Sequence, residues 1–285
     1  MKYPEIIAIP NNPALTGLAE VLPDIVYASP AGQPLTLQLL RPWGENDAPR
    51  KLLPLILFIQ GSGWTSPNVY YELPQLARYA QNGYVVATIT HRNAMDGHPF
   101  PAFLQDSKAA LRFLRAHAAE YGIDASRVCV FGTSSGGNTA LLMGLTGDDP
   151  RYKTADYADQ SDAVTCVIDC FGPTDLRIVA DHLQEAAVDW PVFLSLIDNQ
   201  DAHEVMHAMS PLLHVQKGVA YPPFLLIHGD EDTIVAYKDS VSMYHALCDA
   251  GVWARLIRVI GAPHEGNFWS PRLHGLIAEY LGEKL

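Results

Sequence analysis

The sequence predicts an α/β protein built on a mainly parallel central sheet with helices on both faces. Three observations carry that expectation. The runs Pro54-Leu-Ile-Leu-Phe-Ile59 and Tyr84-Val-Val-Ala-Thr-Ile-Thr90 are continuously apolar, as strands buried on both faces must be. Stretches with helical apolar spacing alternate with such runs to the end of the chain. The 285 residues, 48% hydrophobic and 18% charged, suffice for one large core and exclude a disordered chain. With no internal repeat and no linker rich in Ser, Gly or charge, one domain over residues 1–285 is expected.

The first 23 residues carry four prolines and read as an irregular lead-in. Residues 25–29 and 35–40 are strand-like on either side of Pro30-Ala-Gly-Gln-Pro34, which predicts an antiparallel hairpin. Residues 71–81 form a helix ending before Gly83, so that 54–59, 71–81 and 84–90 make a strand-helix-strand unit. A long helix follows over 101–121, with Ala110, Leu111 and Leu114 inward and Arg112 and Arg115 on its flank. Strands are expected at 127–131, 164–171, 224–228 and 254–260, and helices at 138–145, 236–250 and 271–281. Residues 175–215 break this rhythm: they hold Trp190, Phe193, Leu194, Leu196 and Ile197 but no strand, and read as a short cap-like insertion over the sheet.

The formal charge is −12, and no basic cluster is longer than Arg50-Lys51, so neither nucleic acid nor an anionic membrane is an expected partner. The four cysteines, 129, 166, 170 and 248, lack the paired spacing of a zinc site and read as reduced core thiols. On a strand, Cys166 and Cys170 would lie about 13 Å apart, beyond disulfide reach. The first ten residues are broken by two prolines and a glutamate, unlike a signal peptide, and the longest candidate span is only 52–59. A cytoplasmic location is the expectation, and self-association into a homo-oligomer stays open.

In a sheet of this kind, function sits in the loops after the strands. After the strand at 127–131 comes Gly132-Thr-Ser-Ser-Gly-Gly137, leading directly into a helix. This is G-x-S-x-G in strand-turn-helix context, the nucleophile elbow, with Ser134 as the serine; Ser135 has Thr133 at minus two and fails the pattern. No Gly-Lys-Ser/Thr follows, so a phosphate-binding loop is excluded. A serine needs a base, and the base an orienting carboxylate. After the strand at 224–228 stand Asp230, Glu231 and Asp232; after the next stands His264, between Gly261, Pro263 and Gly266. With 11 histidines, most are ordinary surface or core residues; His264 stands apart by its place in the order Ser, Asp, His. After the strand at 54–59, Gln60-Gly-Ser-Gly-Trp64 offers backbone donors for an oxyanion.

These segments together resemble an α/β-hydrolase of the carboxylesterase type, near the hormone-sensitive-lipase-like and bacterial feruloyl/acetyl-xylan-esterase-like groups. The resemblance spans roughly residues 35 to 281 and includes His98-Pro-Phe-Pro-Ala102, Phe171-Gly-Pro-Thr-Asp-Leu176, Ser210-Pro211 and His228-Gly-Asp-Glu-Asp-Thr-Ile-Val235. It implies Asp232 as the acid, with Asp230 holding the turn; Asp175, in the Thr-Asp-Leu turn after the preceding strand, is the rival. Gln60 and Ser62 stand where relatives carry His and Gly, and Ala236 where they carry Pro.

The function so implied is hydrolysis of small carboxylic esters through an acyl-enzyme: Ser134 as nucleophile, His264 as base, Asp232 orienting it, and the N–H groups of Ser62, Gly63 and Ser135 around the oxyanion, Ser135 by its backbone only. Neither cofactor nor metal is needed. Trp64, Trp190, Phe193 and Leu194 are candidate lining for a small pocket, suited to acetyl to butyryl esters. Alternatives are an acetyl or feruloyl esterase of small glycosides, an aryl-formamidase, and a non-catalytic binder of the same fold.

Overall fold

The computed structural model describes residues 6–44, 51–177 and 191–285. An eight-stranded sheet runs through it: β1 Ala19–Ala28, β2 Leu35–Pro42, β3 Leu53–Ile59, β4 Val85–Ile89, β5 Ile123–Thr133, β6 Cys166–Cys170, β7 Phe224–Gly229 and β8 Ala254–Val259, in the order β1-β2-β4-β3-β5-β6-β7-β8. β2 pairs antiparallel with both neighbours, and every pairing from β4 onward is parallel. The helices are α1 Leu73–Gln81, α2 Ala102–Ala116, α3 Ala118–Tyr121, α4 Ser135–Leu145, α5 Pro191–Ile197, α6 Ala202–Ala208, α7 Tyr237–Asp249 and α8 Pro271–Lys284.

The strands are apolar throughout because successive side chains serve opposite faces. Leu55, Leu57 and Ile59 of β3 join Val128 and Val130 of β5 and Phe224 and Leu226 of β7 in the core beneath α2, α4 and α7. Their neighbours Ile56, Phe58, Cys129, Phe131, Leu225 and Ile227 face the other way, into the core beneath α1 and α8. Continuous hydrophobicity is therefore the sum of two alternations.

Several expectations are corrected in detail. β1 starts at Ala19, inside the proposed lead-in, because residues 19–22 pair with residues 39–42 of β2. The helix expected over 101–121 stops at Ala116 and restarts as α3. β5 starts at Ile123, which pairs with Leu53; the register then shifts so that Leu55 meets Val128. Cys248 lies exposed, whereas Cys129, Cys166 and Cys170 are buried free thiols in strands. Between β6 and β7, the described residues of the 175–215 segment contain α5, α6 and a short 3-10 turn but no strand. Leu196, Met206 and Met209 fill the core on the α2 face.

Arg112 is not on a solvent flank. Its side chain and that of Lys108, one turn earlier on α2, are fully buried and both grip Asp162: Lys108 Nζ at 2.6 Å and Arg112 Nη1 at 3.0 Å. Asp162 Oδ1 also accepts the Asp148 N–H at 2.9 Å, and Arg112 donates to the Asp156 carbonyl at 3.0 Å. The cluster ties α2 to residues 146–163, the connection between α4 and β6. Removing one partner strands two buried cations, which costs about 3–5 kcal/mol. Asp162→Ala is therefore expected to lower the unfolding free energy in urea by about that amount, and a loss below about 1 kcal/mol would mean that the cluster contributes no net stabilisation.

Candidate active site

Ser134 sits between β5 and α4 with φ 51° and ψ −124°, a region that a residue with a Cβ occupies only under constraint. The constraint is visible in its flanking glycines. A Cβ on Gly132 would lie 2.0 Å from the Gly136 carbonyl oxygen, and one on Gly136 would lie 2.0 Å from that of Ile59 in β3. The Ser134 N–H donates to the Cys170 carbonyl at 2.9 Å, and its own carbonyl accepts from Asn138 at 3.0 Å. Asn138 Nδ2, in α4, donates to the carbonyls of Pro173 and Met209 at 2.8 and 2.9 Å, fastening the connection after β6 to the elbow.

β5, β7 and β8 end on the same edge, and their loops bring together three residues far apart in sequence. His264 Nε2 lies 2.9 Å from Ser134 Oγ, and its Nδ1 lies 2.7 Å from Asp232 Oδ2. The carboxylate is an acceptor, so Nδ1 carries the proton and Nε2 is left to receive that of the serine. The Asp232 side chain is fully buried, and its Oδ1 accepts the N–H groups of Ile234 and Val235 at 2.8 and 2.9 Å. Phe171, leaving β6, packs against the His264 ring with centroids 4.5 Å apart. The other two aspartates are engaged elsewhere. Asp230 accepts the Gly261 N–H at 2.6 Å and the Arg258 guanidinium at 2.7 Å, which hold its carboxyl below the usual range while it joins the ends of β7 and β8. Asp175 is paired with Arg177 at 2.6 Å, which holds its carboxyl down likewise.

The loop after β3 departs from the expectation at one donor. The Ser62 N–H does not face an empty oxyanion position: it donates to Ser135 Oγ at 2.9 Å. The Ser135 side chain thus also holds the loop after β3 against the elbow. On the other side of the elbow, the Gly61 N–H donates to Thr133 Oγ1 at 2.9 Å. The Ser62 hydroxyl donates to the Thr65 carbonyl at 2.8 Å and the Thr65 hydroxyl returns to that of Ser62 at 2.6 Å, closing the loop on itself. Gly63 and the amide of Ser135, first residue of α4 and so without a partner inside the helix, are the remaining expected donors beside Ser134.

Two clefts meet at Ser134 and Gly63. One, of about 620 Å³, is lined mainly by apolar side chains, including Trp64, Leu176, Val192, Phe193 and Ile234. The other, of about 170 Å³, lies between His264, Glu265, Ser62 and Phe171. Trp64 and Phe193 line the larger cleft and pack edge to face with centroids 5.7 Å apart. Leu194, the other candidate lining residue, is 52% exposed and turns to solvent, one position round the helix from Phe193. Trp190 lies outside the described residues. Among the described residues, no group of three His, Cys, Asp or Glu side chains could hold a metal ion, and no helix is long and apolar enough to cross a membrane.

Three further polar residues stand at or near the site. His228, one residue of the motif after β7, touches Asp232. Thr133 occupies the variable position of the elbow, yet its hydroxyl holds the Gly61 N–H. Glu72, buried at the start of α1, has its carboxyl pushed up to about 7 by burial and by the charge of Glu265 beside His264. The signal for His228 and Thr133 was a polar residue at a strand end beside a glycine; Glu72, before the first residue of α1, carried no such signal.

Sheet order, elbow and edge loops are those of an α/β-hydrolase. The chain belongs to the BD-FAE family, whose model matches residues 45–247. Its sequence is 31% identical over 213 residues to the esterase LipC of Mycobacterium tuberculosis, a match covering 74% of this chain and 52% of LipC. The structure is similar to a truncated carbohydrate esterase from gut microbiota, with a TM-score of 0.78, 27% identity, and 93% and 96% of the two chains covered. It shares its fold with the butyrate-bound esterase Est2 of Thermogutta terrifontis, with a TM-score of 0.74, 23% identity and 95% of each chain covered. The chain spans about half the length of the curated relatives it matches most strongly.

The two hydroxyl contacts predict that Thr133→Val and Ser135→Ala each lower the unfolding free energy by about 1 kcal/mol, since each leaves a loop N–H without its acceptor. Urea melts of the single and double variants read this; wild-type stability in both singles would show that the loop does not depend on the elbow's hydroxyls.

Proposed function

We propose that the protein is a serine carboxylesterase acting on small carboxylic esters through an acyl-enzyme intermediate. The observation that carries the reading is the hydrogen-bonded chain from Ser134 Oγ through His264 to the buried Asp232, built on a strained elbow. Similarity to LipC and to the gut carbohydrate esterase supports ester bonds over the amide-cleaving and non-catalytic readings.

In the proposed reaction, Ser134 attacks the ester carbonyl as His264 Nε2 takes its proton. Asp232 holds the Nδ1–H tautomer and stabilises the imidazolium, which then protonates the leaving alcohol. The oxyanion forms between the amides of Gly63 and Ser135, which need no reorganisation because the loop and α4 hold them. The acyl group takes the apolar cleft beside Trp64 and Phe193. The leaving alcohol takes the small cleft on the His264 side, since the proton it needs comes from there. Water then repeats the sequence against the acyl-enzyme. The apolar cleft falls within the ordinary range for small-molecule sites, roughly 300–1,000 Å³, and leaves room for acyl groups larger than acetyl.

Ser134→Ala should fold normally, lose labelling by a fluorophosphonate probe and lose hydrolysis of p-nitrophenyl butyrate. Asp232→Asn should reduce turnover by about 10⁴-fold by presenting the wrong tautomer, whereas Asp175→Asn should retain activity within about tenfold, since Asp175 is spoken for by Arg177. A fully active Ser134→Ala, or an inactive Asp175→Asn beside an active Asp232→Asn, overturns the assignment.

A further inference from the structure

Asp232 serves two histidines. His228, the penultimate residue of β7, is fully buried, and its Nε2 lies 2.9 Å from the Val235 carbonyl and 3.2 Å from Asp232 Oδ2, the oxygen that also faces His264 Nδ1. Both neighbours of Nε2 are acceptors, so that nitrogen carries the proton. Its Nδ1, 2.7 Å from Ser240 Oγ on α7, then accepts from the serine hydroxyl. The chain of groups therefore runs Ser240, His228, Asp232, His264, Ser134. We infer that His228 and Ser240 are positioning residues of the site, acting on His264 through the shared oxygen of Asp232. The inference rests on the esterase reading.

The two rings are coupled through charge at one atom, Asp232 Oδ2. A carboxylate oxygen has about two lone-pair sites, and Oδ2 gives one to each histidine. Donation from His228 Nε2–H withdraws electron density that would otherwise favour the imidazolium of His264. Burial lowers the pKa of His228 and keeps it neutral, so it offers a dipole and not a competing cation. Asp232 Oδ1 is held independently by two backbone N–H groups. Loss of the His228 donor should therefore leave the carboxylate in place and change mainly its basicity. The acid limb of the rate profile, where His264 takes up its proton, should then move to higher pH.

Other groups facing this chain are accounted for in the test. Around His228 stand the Tyr237 ring, with centroids 5.9 Å apart, the Phe171 ring, and Asp239 on α7, whose carboxyl is raised by burial. Lys238 lies next to both on α7. Near His264 stand Glu265 and, against Glu265, the Glu72 carboxyl at about 7, which could itself place a limb in this range. Asp230 is neutralised by Arg258.

The experiment is the pH dependence of kcat/KM for p-nitrophenyl butyrate in wild type, His228→Leu, His228→Gln, Ser240→Ala and Glu72→Gln, each with folding checked by circular dichroism. His228→Leu should move the acid limb up by about half to one pH unit, Ser240→Ala should move it the same way by less, and His228→Gln, which keeps a side-chain N–H, should return it toward wild type. Glu72→Gln should leave it unmoved. If His228→Leu does not fold, Ser240→Ala decides the matter. A merely structural role would lower kcat and leave the limb in place, and folded variants with the wild-type limb overturn the inference, as does a limb that moves only in Glu72→Gln. The downfield proton resonance of His264 Nδ1–H, followed by NMR against pH, gives the same titration without turnover. Absence of ester hydrolysis in the wild type would thus sink the proposed function while leaving the coupling of His228 to His264 separately readable.

Discussion

The architecture depends on one close approach, where the ends of β3 and β5 meet beneath Ser134. Gly136 must lack a Cβ because the Ile59 carbonyl occupies its place, and Gly132 must lack one because Gly136 does. Ser134 is held at positive φ as a result, and that backbone turns its hydroxyl out of the sheet edge toward His264. The same approach delivers the loop after Ile59 onto the elbow, where Thr133 and Ser135 take the N–H groups of Gly61 and Ser62. Ser134 and the proposed oxyanion donors are thus one packed unit, and strain at the serine is maintained by contacts across two strands.

Parallel topology extends that unit into a site. Because β3, β5, β7 and β8 point the same way, their carboxyl ends lie on one edge, and a histidine 130 residues from the serine arrives at hydrogen-bond distance without a long connection. The two apolar cores on either face of the sheet fix those strand ends against α1 and α8 on one side and α2, α4 and α7 on the other. The Lys108, Arg112 and Asp162 cluster fastens the connection between α4 and β6 on the second of these sides.

Electrostatic roles among the acids follow from which donors reach them. Asp230, Asp232 and Asp175 all follow strands near the site, and their side chains are chemically identical. Asp230 is committed to Arg258 and Gly261, and Asp175 to Arg177. Asp232 meets no guanidinium among the described residues; two amides and two imidazoles surround it, so its charge is directed at rings that can carry or relay a proton. His228 and Ser240 extend that arrangement below the surface of the sheet.

Much of this was legible in the residues. Apolar runs bounded by turns marked the strands, because a strand covered on both faces needs no polar positions, and the glycines around Ser134 were readable because only glycine tolerates such proximity. The loops after the strands offered Ser134, then three acids at 230–232, then His264, in the order Ser, acid, His. What periodicity could not show was any contact depending on the direction of a particular side chain. Arg112 read as a flank residue, yet it is buried against Asp162 because the 146–163 connection folds over α2. Leu194 read as lining, yet helix phase turns it outward while Phe193 meets Trp64. Ser62 read as a free amide, and only the position of the Ser135 hydroxyl shows it engaged. Local sequence determined the strands and the elbow, since those follow from backbone sterics and residue chemistry, while the choice of Asp232 among three neighbouring acids came from the family resemblance alone. Tertiary structure decided which donor meets which acceptor, because hydrogen bonds and burial depend on distances between segments that the order of residues does not contain.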